Sequence, residues 1–176
     1  MKAVGMFSGG LDSILSARIM KEEGFEVLAL HCYTGFNGSV RRELAEGPDR
    51  TWTPEPSIQN AAARLGIALV PVDVSREFTP LLLHPPHGYG TGANPCIDCH
   101  VFFARKAKEI MEREGAAFVF SGEVIGQRPM SQHTPILKHV EKASGLDGRL
   151  LRPLSAKRLE ETVPEREGMV NRDHLF

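Results

Sequence analysis

Hydrophobic and polar residues alternate in blocks along the chain, and these blocks predict a regular succession of strands and helices. A short apolar run, KAVGMF, stops at Ser8 and Gly9, as a buried strand that ends in a turn would. From Leu11 to Glu23 the apolar residues recur at helical spacing, and Gly24 predicts the end of that helix. The run FEVLALHCY then predicts a second buried strand. This order is that of the βαβ unit of a parallel sheet.

The rest of the chain continues the same alternation. Helices are predicted at 57–65, 75–83, 97–114 and near 135–142, and strands at IALVPVDV, AAFVFSGE and GRLLRPL. Two Gly- and Pro-rich segments, 34–56 and 84–95, predict long loops. In the last segment, Ser155 is predicted to cap a helix and Pro164 to break one. The pattern therefore predicts an α/β fold, a doubly wound parallel sheet of about five strands with helices on both faces.

Length and composition narrow the class of protein. The 176 residues suit one compact domain over 1–176, with an extension of the fold from about residue 155, or else the N-terminal part of a longer chain. A net charge of −1 excludes a global basic field that would attract nucleic acid. No apolar run approaches membrane-spanning length, so we expect a cytoplasmic protein that does not enter a membrane.

The three cysteines are candidates for chemistry rather than for disulfides, because an odd number in a cytoplasmic protein argues against a disulfide framework. Cys96 and Cys99 form a CxxC motif where a helix is predicted to begin. Backbone N–H groups there are expected to stabilise a thiolate, which favours nucleophilic sulfur or metal ligation. The alternative is a pair of ordinary buried cysteines. Cys32 ends the second predicted strand, at the same edge of the sheet, where a small core residue is the simpler interpretation.

The segment SGGLDS follows the first predicted strand, where the first helix begins. Glycines allow a tight turn that brings N–H groups toward a ligand, and a helix N-terminus favours an anion. The hydroxyls of Ser8 and Ser13 can donate to phosphate oxygens. Asp12 suits a phosphate site only if Mg²⁺ lies between the carboxylate and the nucleotide. A helix cap beside a glycine turn is the alternative without a ligand.

SGGLDS resembles the SGGxDS motif of the PP-loop ATP pyrophosphatase superfamily, and its position after the first strand matches as well. The resemblance implies a fold of the adenine nucleotide α-hydrolase kind. Enzymes of this superfamily bind ATP, release pyrophosphate and transfer AMP to a substrate oxygen. The resemblance also implies a catalytic role for Asp12, and it implies that the pyrophosphate part of ATP is held by Ser8, Gly9, Gly10, Leu11, Asp12 and Ser13.

Motifs in the second half of the chain indicate which members of the superfamily it resembles. NPCIDC is similar to the corresponding region of the tRNA 2-thiouridine and 4-thiouridine synthetases, and FSGEVIGQRPMSQ and LLRPLSAK extend the similarity. In that group, cysteines at this place either carry a persulfide or ligate an iron–sulfur cluster. The resemblance thus implies catalytic roles for Cys96 and Cys99. A 4Fe–4S cluster held by Cys32, Cys96 and Cys99 is a further hypothesis.

Other candidate residues follow from the predicted sheet, whose strands end at one edge. Gly122, Gln127 and Arg128 come after the fourth strand and are expected to reach the nucleotide or substrate, as is Glu123. His31, beside Cys32, is also assigned to the nucleotide site. Arg128 would stabilise the negative charge that develops as pyrophosphate leaves. For the other histidines singled out, which are His84, His87 and His100, solvated or packing roles are predicted. Trp52 would either stack on a base or fill an apolar gap.

The function predicted from these residues is ATP-dependent sulfur transfer to a tRNA base, in which adenylation of a base carbonyl releases pyrophosphate. Expected partners are ATP, tRNA and a sulfur-donor protein. A first alternative is adenylation of a small molecule, followed by its thiolation or amidation. A second is an adenine-nucleotide-binding module without catalysis.

Overall fold

Five parallel strands form one sheet in the computed structural model, which describes residues 1–36, 53–90, 94–128 and 131–176. The strands are β1 (Lys2–Met6), β2 (Glu26–Tyr33), β3 (Ala68–Asp73), β4 (Phe118–Ser121) and β5 (Leu150–Leu151). Their spatial order is β3-β2-β1-β4-β5, and every neighbouring pair is parallel. The predicted parallel sheet is therefore confirmed. Trp52 lies outside the described residues.

The helices of the described ranges are α1 (Leu11–Glu22), α2 (Pro56–Leu65), α3 (Ser75–Leu83), α4 (Cys96–Glu114), α5 (Thr134–Ser144) and α6 (Val163–Arg166). Short 3₁₀ turns lie at 156–158, before α6, and at 172–174, after it. The sequence pattern predicts the first five of these helices, at nearly the bounds that the structure gives them. None of the helices in these ranges combines the length and the apolar character needed to cross a membrane.

Alternating residues of the strands supply two separate cores, one on each face of the sheet. Ala3 of β1 packs with residues of α1 and α2, whereas its neighbour Val4 packs with residues of α4 and α5. The same division separates Phe118 from Val119 in β4. Because successive strand residues point to opposite faces, an unbroken apolar run in the sequence becomes a sheet covered on both sides.

Three details of the C-terminal half differ from the sequence prediction. The two last strands are shorter than their apolar runs, since β4 covers four residues and β5 covers two. Pro164 was wrongly predicted to be a break: it lies in the first turn of α6, where a missing N–H costs no hydrogen bond. Ser155 precedes a 3₁₀ turn but does not cap it, because its Oγ accepts a hydrogen bond from the Ile125 N–H instead.

The register of the strands fixes which residues meet at the carboxyl edge of the sheet. Met6, the last residue of β1, pairs with Leu30 of β2 on one side and with Ser121 of β4 on the other. Beyond Met6 the Phe7 N–H still donates to the Leu30 carbonyl, at 2.8 Å. The segments that leave β1, β2 and β4 therefore start close together, although they are far apart in the sequence.

Candidate nucleotide and thiol site

A cavity of about 530 Å³ opens at the carboxyl edge of the sheet, where the segments after β1, β2 and β4 meet. Its walls include the turn after β1, the end of β2, the first turns of α4 and the segment after β4. This is the position at which open parallel sheets bind ligands. A smaller cavity of about 320 Å³ lies between α5, β5 and the C-terminal segment, and it shares no wall residue with the first.

Residues Ser8 to Ser13, called the phosphate turn below, join β1 to α1 at one side of this cavity. Ser8 Oγ lies 3.2 Å from Ser13 Oγ and accepts from the Gly10 N–H at 3.2 Å, while Ser13 Oγ donates to the Gly10 carbonyl at 2.8 Å. Gly9 has φ +79°, a left-handed conformation that favours glycine. The turn thus combines the helix N-terminus with two hydroxyls, as anion binding requires.

Gly122, which follows β4, packs directly against the phosphate turn. A Cβ at this position would lie 2.6 Å from the backbone nitrogen of Ser13 and 2.7 Å from the carbonyl carbon of Asp12. Any side chain here would therefore displace the first turn of α1. The structure thus places Gly122, which was assigned to the nucleotide site, against the phosphate turn.

The predicted polar residues after β4 lie along the same cavity. Gln127 Nε2 donates to Asp12 Oδ2 at 3.1 Å, so the loop after β4 contacts the phosphate turn through this pair. Arg128 is exposed and lines the cavity, and Leu11 of the turn is 78% exposed. His31 is buried at the end of β2, where its Nδ1–H donates to the Phe7 carbonyl at 2.9 Å. All four predicted positions therefore border the cavity.

The structure separates the cysteines of the CxxC motif. Cys99 and Cys32 both line the cavity, whereas Cys96 is not among its wall residues. Burial raises the pKa of Cys32 to about 12 and the pKa of Cys99 to about 12. For Cys99 the prediction of a stabilised thiolate is therefore wrong, because burial disfavours the charged form of the thiol. Both thiols are protonated at neutral pH.

The cysteines do not form a ready-made metal centre. Within the described ranges, no group of three or more His, Cys, Asp or Glu side chains is arranged to hold a metal ion. Cys32, Cys96 and Cys99 have the right donor chemistry for an iron–sulfur cluster, but this arrangement does not bring the three sulfurs together as ligands. Asp12 is a single carboxylate at the phosphate turn, which fits a Mg²⁺ ion that takes its remaining ligands from phosphates and water.

A set of paired ionisable side chains, two of them buried, adjoins the cavity, and we call it the charge network: His100, Glu123, Glu141 and Arg152. His100 Nδ1 lies 2.6 Å from Glu123 Oε1, and Arg152 Nε lies 2.8 Å from Glu123 Oε2. Arg152 also contacts Glu141. His100 and Glu123 line the cavity, while Arg152 is only 2% exposed. Burial alone would raise the pKa of Glu123, but Arg152 and His100 outweigh it and lower that pKa to about 2.

The charge network is the part of the site that the sequence did not reveal. His100 was predicted to be solvated or to pack, which is wrong, since it is paired with Glu123 at the cavity. Arg152 carried no signal beyond being a charged residue in an apolar run, RLLRPL. A charged residue is rarely buried unless it is paired with an opposite charge. The position of Arg152 in an apolar run was therefore a sign that it is paired.

The fold and the cavity define an α/β nucleotide-binding domain of the PP-loop kind, with the phosphate turn at the end of β1. The model of the tRNA methyl transferase HUP domain matches residues 1–162, and the chain belongs to this family. The resemblance stated for SGGLDS is thereby confirmed.

Individual relatives of this chain also carry names of tRNA-modifying proteins. The chain is 32% identical over 124 residues to the "tRNA-specific 2-thiouridylase MnmA" of Sulfurimonas denitrificans, covering 67% of this chain and 33% of the relative. It is 28% identical over 148 residues to the "Probable tRNA sulfurtransferase" of Methanosarcina mazei, and the match covers 80% of this chain and 32% of the relative. The chain thus spans about a third of the length of these relatives.

A solved structure supports the fold. It is described as a predicted subunit of tRNA methyltransferase from Methanocaldococcus jannaschii, and it superposes with a TM-score of 0.55 at 17% identity. The match covers 87% of this chain and 69% of the other. At this identity the likeness concerns the architecture alone.

Proposed function

We propose that this chain is the ATP-using domain of a tRNA-thiolating enzyme, which adenylates a carbonyl oxygen of a tRNA base and replaces that oxygen by sulfur. One observation carries the proposal: a single cavity borders both the phosphate turn and the Cys99 thiol. The names of the relatives, a 2-thiouridylase and a sulfurtransferase, point to the same reaction class. ATP and tRNA would meet in the cytoplasm, the location we expect.

In the first step the phosphate turn would hold the β- and γ-phosphates of ATP, so that the α-phosphorus faces the cavity. Asp12 would hold Mg²⁺, which offsets repulsion between the phosphates. The exposed guanidinium of Arg128 would then stabilise the charge of the departing pyrophosphate. The base oxygen forms a bond to the α-phosphorus, and the bond between that phosphorus and pyrophosphate breaks.

In the second step Cys99 would carry the sulfur as a persulfide supplied by a donor protein. Cys99 is preferred over Cys96 because it is the cysteine of the CxxC motif that borders the cavity. The terminal sulfur attacks the adenylated carbon and AMP leaves. Cys32 lines the same cavity and would then attack the Cys99 sulfur, while its S–H proton passes to the thiolated base that leaves. The step leaves a disulfide between Cys32 and Cys99, which a thiol reductant reopens.

The test is a pyrophosphate-release assay on the purified protein, with ATP, Mg²⁺ and either bulk tRNA, a set of small metabolites, or no acceptor. Release that depends on tRNA is expected. Asp12→Asn should abolish it, while Cys99→Ser should retain it but form no thiolated nucleoside. Cys96→Ser is the matched control, because it removes the cysteine that does not border the cavity, and its thiolation should exceed that of Cys99→Ser.

The remaining outcomes contradict the proposal in different ways. Release that requires a metabolite and not tRNA would favour adenylation of a small molecule, which the net charge of −1 makes the second candidate. ATP binding without release under any condition would favour a nucleotide-binding module. Equal loss of release and thiolation in Cys99→Ser would contradict the division of the reaction into two steps.

A further inference from the structure

His100 is a histidine beside the reacting thiol whose orientation is fixed by buried charges. Its ring lines the cavity, and its side chain is 23% exposed. Nδ1 lies 2.6 Å from Glu123 Oε1, so one ring nitrogen is engaged on the side away from solvent. The remaining nitrogen, Nε2, is the one that a ligand in the cavity can contact.

The partners of Glu123 determine which nitrogen of His100 carries the proton. Oε2 of Glu123 accepts from Arg152 Nε at 2.8 Å and from Ser121 Oγ at 2.9 Å. A guanidinium is always charged, and its burial beside this carboxyl group requires the carboxylate form. A carboxylate only accepts hydrogen bonds, so His100 Nδ1 must be the donor. In the neutral ring, Nε2 is therefore an acceptor.

Adenylation of a base carbonyl has a requirement that the residues described so far do not meet. A lactam group, N–H beside C=O, can form a bond from its oxygen to phosphorus and remain neutral only if the N–H proton leaves. The electrons of the N–H bond then form the C=N bond, as the C=O double bond becomes a single bond to the adenylate oxygen. Some group must accept that proton within the cavity.

We propose that His100 is the general base of the adenylation step, and that its Nε2 accepts the N–H proton of a lactam base held in the cavity. This inference rests on the proposed function and deepens it, because it defines the substrate as a base with an N–H group next to the reacting carbonyl. The proton moves from the base nitrogen to Nε2, and the resulting imidazolium is paired with Glu123. Glu123 and Arg152 are positioning residues in this step.

Kinetic and binding measurements on variants of His100 test the inference. His100→Gln keeps a hydrogen-bonding group of similar length but no base, so tRNA-dependent pyrophosphate release should fall by about 10²–10⁴-fold. Its dissociation constant for ATP, measured by calorimetry, should change by less than about threefold, because the phosphate turn is untouched. His100→Ala should regain activity when imidazole is added, which a purely structural role of the ring would not allow.

His174→Gln is the matched control. His174 also has a carboxylate partner, Glu23 Oε1 at 2.5 Å from Nδ1, but it is exposed and does not border the cavity. Its rate should remain within about twofold of the unaltered protein, with no response to imidazole. ¹⁵N NMR of the ring nitrogens supplies a readout that needs no activity: His100 should carry its proton on Nδ1, and Glu123→Gln should change that preference.

The outcomes separate the inference from the proposed function. If the unaltered protein releases no pyrophosphate with tRNA, the proposed function fails and the inference falls with it. If it does release pyrophosphate and His100→Gln is equally fast, only the inference is overturned. A neutral His100 protonated on Nε2 in the free protein would overturn the inference as well, whatever the rates.

Discussion

The phosphate turn and the charge network border the same cavity but are built in different ways. The turn takes six consecutive residues, and its hydrogen bonds join residues two to five positions apart. In the charge network, Glu123 is 23 residues from His100 and 29 from Arg152. The turn is half exposed, whereas Arg152 and Glu123 are 2% and 6% exposed. A local motif can be recognised before folding, but a buried network exists only once the fold has formed.

The sharpest way to test this contrast is to remove the buried cation. Arg152→Met would leave Glu123 and Glu141 without their cation, and the free energy of unfolding should fall by about 3–5 kcal/mol. Urea denaturation followed by circular dichroism measures the loss. The matched control is Arg18→Met, which breaks an exposed pair with Glu22 on α1 and should cost about 0.5 kcal/mol or less. If the two variants lost the same free energy of unfolding, burial would not distinguish the Arg152 ion pairs from the Arg18 ion pair.

The pH dependence of the unfolding free energy provides a second test of the charge network, at Glu123. Its pKa is lowered from 4.5 to about 2, so the carboxylate stabilises the fold fully above pH 4.5 and this contribution disappears as the pH falls through about 2. A Glu123→Gln variant lacks the contribution at every pH. The difference in unfolding free energy between the two proteins should therefore shrink from pH 4.5 to pH 2. A constant difference across this range would contradict the assignment of a paired carboxylate.

A smaller effect on stability is expected at the phosphate turn. In Gly122→Ala the new Cβ would lie 2.6 Å from the Ser13 nitrogen, and overpacking of this kind costs about 1–3 kcal/mol. ATP affinity should fall by about tenfold or more, because the N–H groups of the turn move. Gly10→Ala offers a graded control, since its Cβ would meet only Ser8 Oγ, at 3.3 Å. Calorimetry should find that ATP binds more weakly to Gly122→Ala than to Gly10→Ala. The reverse order would contradict a role of Gly122 in supporting the nucleotide site.

The same contrast explains what could be predicted from the sequence. The strands β1, β2 and β3 and the helices α1 to α5 follow from apolar spacing, since a local pattern decides them. The phosphate turn follows from SGGLDS for the same reason. The carboxyl ends of parallel strands also bring Gly122 and Gln127 to the turn, so a correct sheet prediction was sufficient to place them.

The chemistry of Cys99 and His100 could not be predicted in this way. A helix N-terminus favours a thiolate, yet burial raises the pKa of Cys99 to about 12, and burial is a property of the assembled fold. His100 was indistinguishable from a surface histidine until its distance from Glu123 was known. The partner of His100 is 23 residues away in the sequence, and the burial of Cys99 likewise depends on the assembled fold. Local reasoning therefore located both residues but not their surroundings.

The place of β1 between β2 and β4 has a consequence for how this domain can diversify. The phosphate turn is one short continuous stretch, whereas Cys99 and His100, to which we assign the attacking sulfur and the base, lie in the first turns of α4. We expect substitutions at Cys99 or His100 to alter the acceptor or the attacking atom while the phosphate turn stays intact. An engineer who wished to redirect the chemistry would begin at Cys99 and His100 and leave the phosphate turn and Gly122 unchanged.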